Sequence, residues 1–136
     1  MQMQFDIQGG DFSAAGEASS EVKKALKQLN IQPQTLRRIA VALYEAEVNV
    51  VAHAYRGTMT VDISPARIRV QLQDEGPGID DIGKAMEEGF STASDKVREM
   101  GFGAGMGLPN IKKNSDEMHL TSTPGTGTTL EIIVNF

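Results

Sequence analysis

The chain of 136 residues contains no cysteine and no tryptophan. Without thiols there is no disulfide framework, no thiolate metal site and no cysteine nucleophile. Aromatic residues make up 5% of the chain, too few for the stacking platform by which single-stranded nucleic acid is held. Positive charge is also in deficit: 13 Lys and Arg face 18 Asp and Glu, a formal net charge of −5. No basic stripe is available to neutralise phosphates along a duplex, so no nucleic-acid partner is expected. There is no apolar run of about eighteen residues and no signal-peptide pattern, so a cytoplasmic protein without membrane association is expected. What remains is ordinary for a globular protein, with 40% hydrophobic and 23% charged residues. At this length a single domain over residues 1–136 is the simplest organisation.

Periodicity then gives the elements. Met3 to Ile7 alternates with period two and predicts a strand, closed by the turn Gly9-Gly10-Asp11. Residues 13–29 predict a helix with Val22, Leu26 and Leu29 inward and Lys23, Lys24 and Lys27 outward. Pro33 suits the first turn of a second helix, expected to reach about Tyr55 and to end at Gly57. Its buried stripe is Leu36, Ile39, Leu43, Ala46 and Val50. Strands at 58–64 and 67–73 follow, joined by a turn at Ser64-Pro65-Ala66, then a short helix from Asp80 to about Glu88. Residues 89–105 have little apolar periodicity and predict a mobile loop. Leu108-Pro109 opens another short helix, and strands at 118–123 and 129–134 flank Pro124-Gly125-Thr126-Gly127. The order β-α-α-β-β-α-α-β-β predicts an α+β fold: a two-layer sandwich with helices on one face of a mixed, mostly antiparallel sheet.

Three features carry chemistry. Glu45, Asn49 and His53 are spaced by four, so on a helix they stack on one face at the edge of the apolar stripe. Asn49 offers a neutral oxygen suited to Mg²⁺, Glu45 can take a proton from a nucleophile near a phosphate, and His53 can donate to a phosphate. A solvated polar face is the plain alternative. Glu47, on a different face, is expected to be exposed. Asp74-x-Gly76-x-Gly78 follows Ile68, Val70 and Leu72, so the carboxylate is expected at a strand end. It can accept from an exocyclic amine while the glycines make room for a flat ring; a simple turn is the alternative. Gly101 to Gly107 has a glycine at every second position just before a helix, which suits backbone donation to phosphates. The segment Gly78-Ile79-Asp80-Asp81-Ile82-Gly83-Lys84-Ala85 nearly matches a phosphate loop. Ala85 has no hydroxyl for magnesium, and Asp80 and Asp81 would put negative charge inside the cradle, so that reading is rejected.

Taken in order, Glu45-x-x-x-Asn49, Asp74-x-Gly76-x-Gly78, Gly103-x-Gly105-x-Gly107 and Gly125-Thr126-Gly127-Thr128 resemble the GHKL superfamily of ATPases. Within it, the segment Glu45 to Tyr55 is most similar to that of stand-alone bacterial anti-sigma-factor and switch-protein serine kinases. The resemblance implies a histidine-kinase-like ATPase fold that binds ATP and Mg²⁺. Asn49 would hold the metal and Glu45 would be the general base toward a serine or threonine hydroxyl. Asp74 would bind the adenine amine above Gly76 and Gly78, supported by Thr128 through water. Gly103, Gly105, Gly107 and the Leu108 backbone would wrap the phosphates, under a lid of residues 91–100 whose cations are Lys96 and Arg98. Partner and homodimer contacts would use residues 3–30. The implied activity is an ATP-dependent protein serine/threonine kinase acting on an anti-anti-sigma-like partner. Two alternatives stand beside it: a nucleotide-dependent module that sequesters a sigma factor or regulator without phosphotransfer, and a histidine-kinase-like ATPase subunit.

Overall fold

The computed structural model describes residues 1–87 and 107–136. Five strands form one sheet: β1 (Gln2–Gln8), β2 (Arg56–Ile63), β3 (Arg67–Glu75), β4 (Glu117–Thr123) and β5 (Gly127–Asn135). Their order is β1-β2-β3-β5-β4. Each of the four pairings is antiparallel. Among the described residues the helices are α1 (Glu17–Lys27), α2 (Pro33–His53), the single turn α3 (Ile82–Ala85) and α4 (Gly107–Lys113).

Side-chain alternation fixes which face of the sheet is buried. The register lines up Phe5, Met59, Leu72, Leu130 and Leu120 in one row across the sheet. The next row holds Met3, Val61, Val70, Ile132 and Met118. These rows share one core with Val22 and Leu26 of α1 and with Ile39, Leu43, Ala46 and Val50 of α2. The outward face of β1 to β3 is polar, with Gln4, Asp6, Asp62, Arg69 and Gln73 exposed. The expected α+β architecture, with helices laid against one face of the sheet, is therefore what the chain forms.

Three expectations need correction. The first helix does not run from 13 to 29. A 3-10 turn occupies Phe12–Ala14, Gly16 takes a φ of 97°, and α1 proper begins at Glu17. Leu29 lies beyond its end and is exposed. The second helix stops at His53, before Gly57. The chain there is recruited by neighbouring strands: the Tyr55 N–H donates to the Glu75 carbonyl and the Gly9 N–H to that of Tyr55. Gly57 belongs instead to β2, where a Cβ would fall 3.0 Å from Val50 Cγ1 and 3.3 Å from Asp74 Cβ.

The third correction is Glu47, which is 2% exposed. Its carboxylate accepts from the backbone N–H groups of Gly16 (2.9 Å), Ala18 (3.3 Å) and Ser19 (2.9 Å), and from Ser19 Oγ (2.6 Å). The first turn of any helix leaves N–H groups without partners and carries partial positive charge. Gly16 offers no side chain to cap them. Glu47 does so from the neighbouring helix, which accounts for a buried carboxylate with no cationic partner among the described residues. Glu47→Ala is expected to lower unfolding free energy by roughly 3 kcal/mol or more, because several buried donors lose their acceptor together. Glu47→Gln, which keeps one oxygen, is expected to fall between. Urea unfolding of both variants checks this; an alanine variant as stable as the parent would remove Glu47 from the account.

Candidate functional site

The row of the sheet that follows the core rows changes character. It reads Ile7, Gly57, Asp74, Thr128 and Ser122, in register across all five strands. Asp74 thus continues the inward alternation of Ile68, Val70 and Leu72, at the point where the sheet emerges from under α2. Its Oδ1 accepts from the Thr128 N–H at 3.0 Å. The Thr128 hydroxyl lies 2.9 Å from Ser122 Oγ. Ser122 Oγ also accepts from the Ile79 N–H at 2.7 Å and reaches the Gly127 carbonyl at 3.1 Å. Burial pushes the Asp74 carboxyl above the usual range, and the Thr128 N–H pulls it partly back. The expected support of Asp74 by Thr128 takes the form of a direct backbone hydrogen bond.

The glycines around this row are required by close approach. At Gly127 a Cβ would overlap the Asp74 carbonyl oxygen. Gly78 has a φ of 73°, and a Cβ there would fall 2.6 Å from the Thr123 carbonyl oxygen. The loop after β3 is bound to the β4–β5 turn by Gly76 N–H to the Thr126 carbonyl (3.1 Å) and Gly125 N–H to that of Pro77 (2.7 Å). Gly76 itself packs on α2, where a Cβ would sit 3.0 Å from Ala54 Cα. The motif at 74–78 and the motif at 125–128 are therefore two halves of one bound corner.

Above that corner lies the second half of α2. Glu45, Asn49 and His53 follow one another at one-turn intervals, each step about 6 Å along the axis. Asn49 meets the start of α4: a Cβ at Gly107 would fall 2.8 Å from Asn49 Oδ1. Burial raises the Glu45 carboxyl, while a side-chain hydrogen bond with Asn110 of α4 lowers it in part. Burial also depresses His53, so its imidazole is neutral at pH 7. Glu45, Asn49, His53, Asp74, Gly76, Gly78, Gly107, Leu108 and Thr128 are all among the described residues, on α2, the end of β3, the start of α4 and β5. Gly103, Gly105, Lys96, Arg98 and the expected lid at 91–100 lie outside the described residues.

Two participants were not anticipated. Ser122 continues the alternation of Met118 and Leu120 into a polar position opposite Thr128, which was a readable signal. Asn110 was not readable, because its relation to Glu45 depends on how α4 packs on α2. Among the described residues no cluster of His, Asp and Glu can hold a metal ion by itself. No described helix is long and apolar enough to cross a membrane.

Asp74 and Glu45 differ from Glu47 in what they cost. Both carboxyls are raised, so the folded chain holds their protons more tightly than the unfolded one. The stability this contributes is present at low pH and is lost as pH rises through the raised values. Above those raised values the groups are charged and carry the desolvation penalty that raised them. Asp74→Asn and Glu45→Gln are therefore expected to unfold at or slightly above the parent midpoint at pH 7, with the gap closing as pH falls toward about 4. Thermal unfolding across that range checks the sign; a clear loss of stability at pH 7 would make them structural groups.

Comparison with known proteins bears on the family and the fold. The histidine kinase-like ATPase domain matches residues 11–134. The serine/threonine-protein kinase RsbT of Bacillus subtilis is 33% identical over 115 residues, covering 82% of this chain and 80% of its own. An anti-sigma F factor of Thermoanaerobacter is 37% identical over 106 residues, covering 74% of this chain and 71% of its own. In fold, the chain resembles a crystal structure of RsbU and RsbW domains from Mycobacterium tuberculosis, with a TM-score of 0.66 at 13% identity over 98% of this chain and 32% of that one. It also resembles a chain of the SiaB–SiaC complex from Pseudomonas aeruginosa, with a TM-score of 0.63 at 13% identity over 97% of this chain and 88% of that one. The chain belongs to the histidine kinase-like ATPase domain family.

Proposed function

We propose that this chain is an ATP-dependent protein serine/threonine kinase that phosphorylates a partner regulatory protein in a partner-switching system. The observation that carries the reading is the junction of two surfaces: the polar end of the sheet at Asp74 and Thr128, and the Glu45–Asn49 turn of α2 above it. Asp74 has one oxygen committed to Thr128 and a second that can accept from the adenine amine. Gly76 lets the loop after β3 press on α2, and Gly78 lets it press on the β4–β5 turn, which together shape the corner against which a ring would lie. Asn49 and Gly107 meet closely: a Cβ at Gly107 would fall 2.8 Å from the amide oxygen, so the start of α4 brings its backbone up to that side chain. That suits phosphates and a hydrated Mg²⁺, which prefers oxygen ligands. When bound, the metal would neutralise charge on the phosphates.

In this reading Glu45 takes the proton of the acceptor hydroxyl. Its raised carboxyl makes it a better base than an exposed glutamate, and Asn110 holds it in orientation. His53, neutral at pH 7, donates a hydrogen bond rather than a charge. Leu108, Gly103 and Gly105 are assigned to the phosphates, and Lys96 or Arg98 to the transferred group, on sequence resemblance. The relative named anti-sigma F factor supports a second reading, in which nucleotide-dependent binding of a sigma factor accompanies or replaces phosphotransfer. Partner contacts and a homodimer contact within residues 3–30 belong to the same proposal.

Calorimetry with Mg-ATP should show binding to the parent and a loss of at least about tenfold in Asp74→Asn, worth about 1.4 kcal/mol. Unchanged affinity would remove the adenine assignment. With labelled ATP and an acceptor protein, Glu45→Ala should slow transfer by about 10²–10⁴-fold while ATP still binds. Transfer at the parent rate would mean that Glu45 is not the base, and no transfer by the parent to any acceptor would favour the binding module.

A further inference from the structure

On its outer side α2 carries a groove of which the proposed chemistry uses only Glu45. It encloses about 480 Å³ where α1 meets α2 and is lined by Leu36, Val41 and Tyr44, by the cations Lys23 and Arg37, and by Glu45. The geometry of α2 explains why Glu45 belongs to both places. Arg37, Val41, Glu45, Asn49 and His53 are successive i, i+4 positions and form a single ridge along the helix. The ridge begins in the groove and ends over the polar corner of the sheet. Glu45 stands at the changeover, about 12 Å along the axis from Arg37.

The charge of the groove is unusual for this chain. The net charge is −5, yet the groove has two exposed cations and one acid. The adjacent Lys24 and Arg38 are paired with Glu21 and Asp116. Among the described residues Lys23 and Arg37 have no such pair. Tyr44 is 42% exposed beside them, and an exposed aromatic among unpaired cations is typical of a contact surface.

We propose that this groove receives an acidic segment of the acceptor protein and leads its serine or threonine hydroxyl to Glu45. The proposal rests on the kinase reading above. Lys23 and Arg37 attract the acidic flank, Leu36, Val41 and Tyr44 take its apolar side chains, and the hydroxyl arrives at Glu45 from the side opposite the nucleotide. The hydroxyl oxygen then bonds to the γ-phosphorus, the bond from that phosphorus to the bridging oxygen breaks, ADP leaves with the electron pair, and the proton goes to Glu45.

The test uses two fluorescein-labelled serine peptides, one flanked by aspartates and leucine, the other by lysines and leucine. Fluorescence anisotropy without nucleotide should show the aspartate peptide binding the parent more tightly, with affinity falling as salt is raised. The double variant Lys23→Glu, Arg37→Glu should bind that peptide about tenfold more weakly and prefer the lysine peptide. In transfer assays its KM for the aspartate peptide should rise by a similar factor, with kcat and Mg-ATP affinity unchanged. Both substitutions are at exposed positions, and an unfolding midpoint equal to the parent's confirms that the fold is intact. Equal binding of the two peptides by the parent, or unchanged affinity in the variant, would overturn the proposal. So would a variant that changes oligomeric state instead of peptide affinity, since a second copy would then be the occupant. Charge-selective binding without transfer would remove the kinase reading and leave the groove. Transfer to both peptides alike would remove the groove and leave the kinase.

Discussion

The contact on which the arrangement depends is the buried carboxylate of Glu47 against the first turn of α1. Four donors converge on its two oxygens. A hydrophobic contact would let α1 slide or rotate on α2, since apolar packing is not directional. A carboxylate that satisfies particular N–H groups permits one position only. Because Glu47 lies between Glu45 and Asn49 on the same helix, fixing its direction also fixes theirs. Five of the seven residues from 45 to 51 are buried, Ala46, Val48, Val50 and Val51 in the core and Glu47 against α1, which leaves Glu45 and Asn49 to the ridge.

The sheet contributes a second constraint of the same kind. Its inward rows are apolar until the register reaches Gly57, Asp74, Thr128 and Ser122. One more apolar row would extend the core; a polar row ends it and leaves a surface half-roofed by α2. One Asp74 oxygen, Thr128 and Ser122 are bonded to one another, so the corner has a defined shape before anything binds. A preformed site avoids an ordering cost at the time of binding. The glycines at 76, 78 and 127 follow from this crowding, and their spacing reflects how closely two turns and one helix end meet.

Much of this was legible in the sequence. Period-two alternation located the strands, and the inward set at 68, 70 and 72 put Asp74 on the correct face. The four-residue spacing of Glu45, Asn49 and His53 predicted a shared ridge. Glu47 was misread because helical periodicity shows only which residues face away from the local apolar stripe. It does not show that a second helix start, without a capping side chain at Gly16, waits on that side. Leu29 was misread because Gln28 ends the helical geometry while the apolar spacing continues by coincidence. Asn110 and the groove at Lys23 and Arg37 depend on how separate helices pack, which no local pattern encodes.

The contrast among three carboxylates on two elements gives the site its physical logic. Glu47 is surrounded by donors and holds the fold together. Glu45 and Asp74 are partly desolvated with fewer donors than they can use, and burial raises both. A group left short of partners in the free protein is one that gains most when a ligand supplies them. For Asp74 that partner is an amine approaching along the sheet; for Glu45 it is a hydroxyl approaching along the outer ridge of α2. The helix thus separates two approaches while carrying on one ridge the groups that serve both. Glu45 is the point at which they meet, which is why its direction, set by its neighbour Glu47, matters more to the chemistry than its own contacts do.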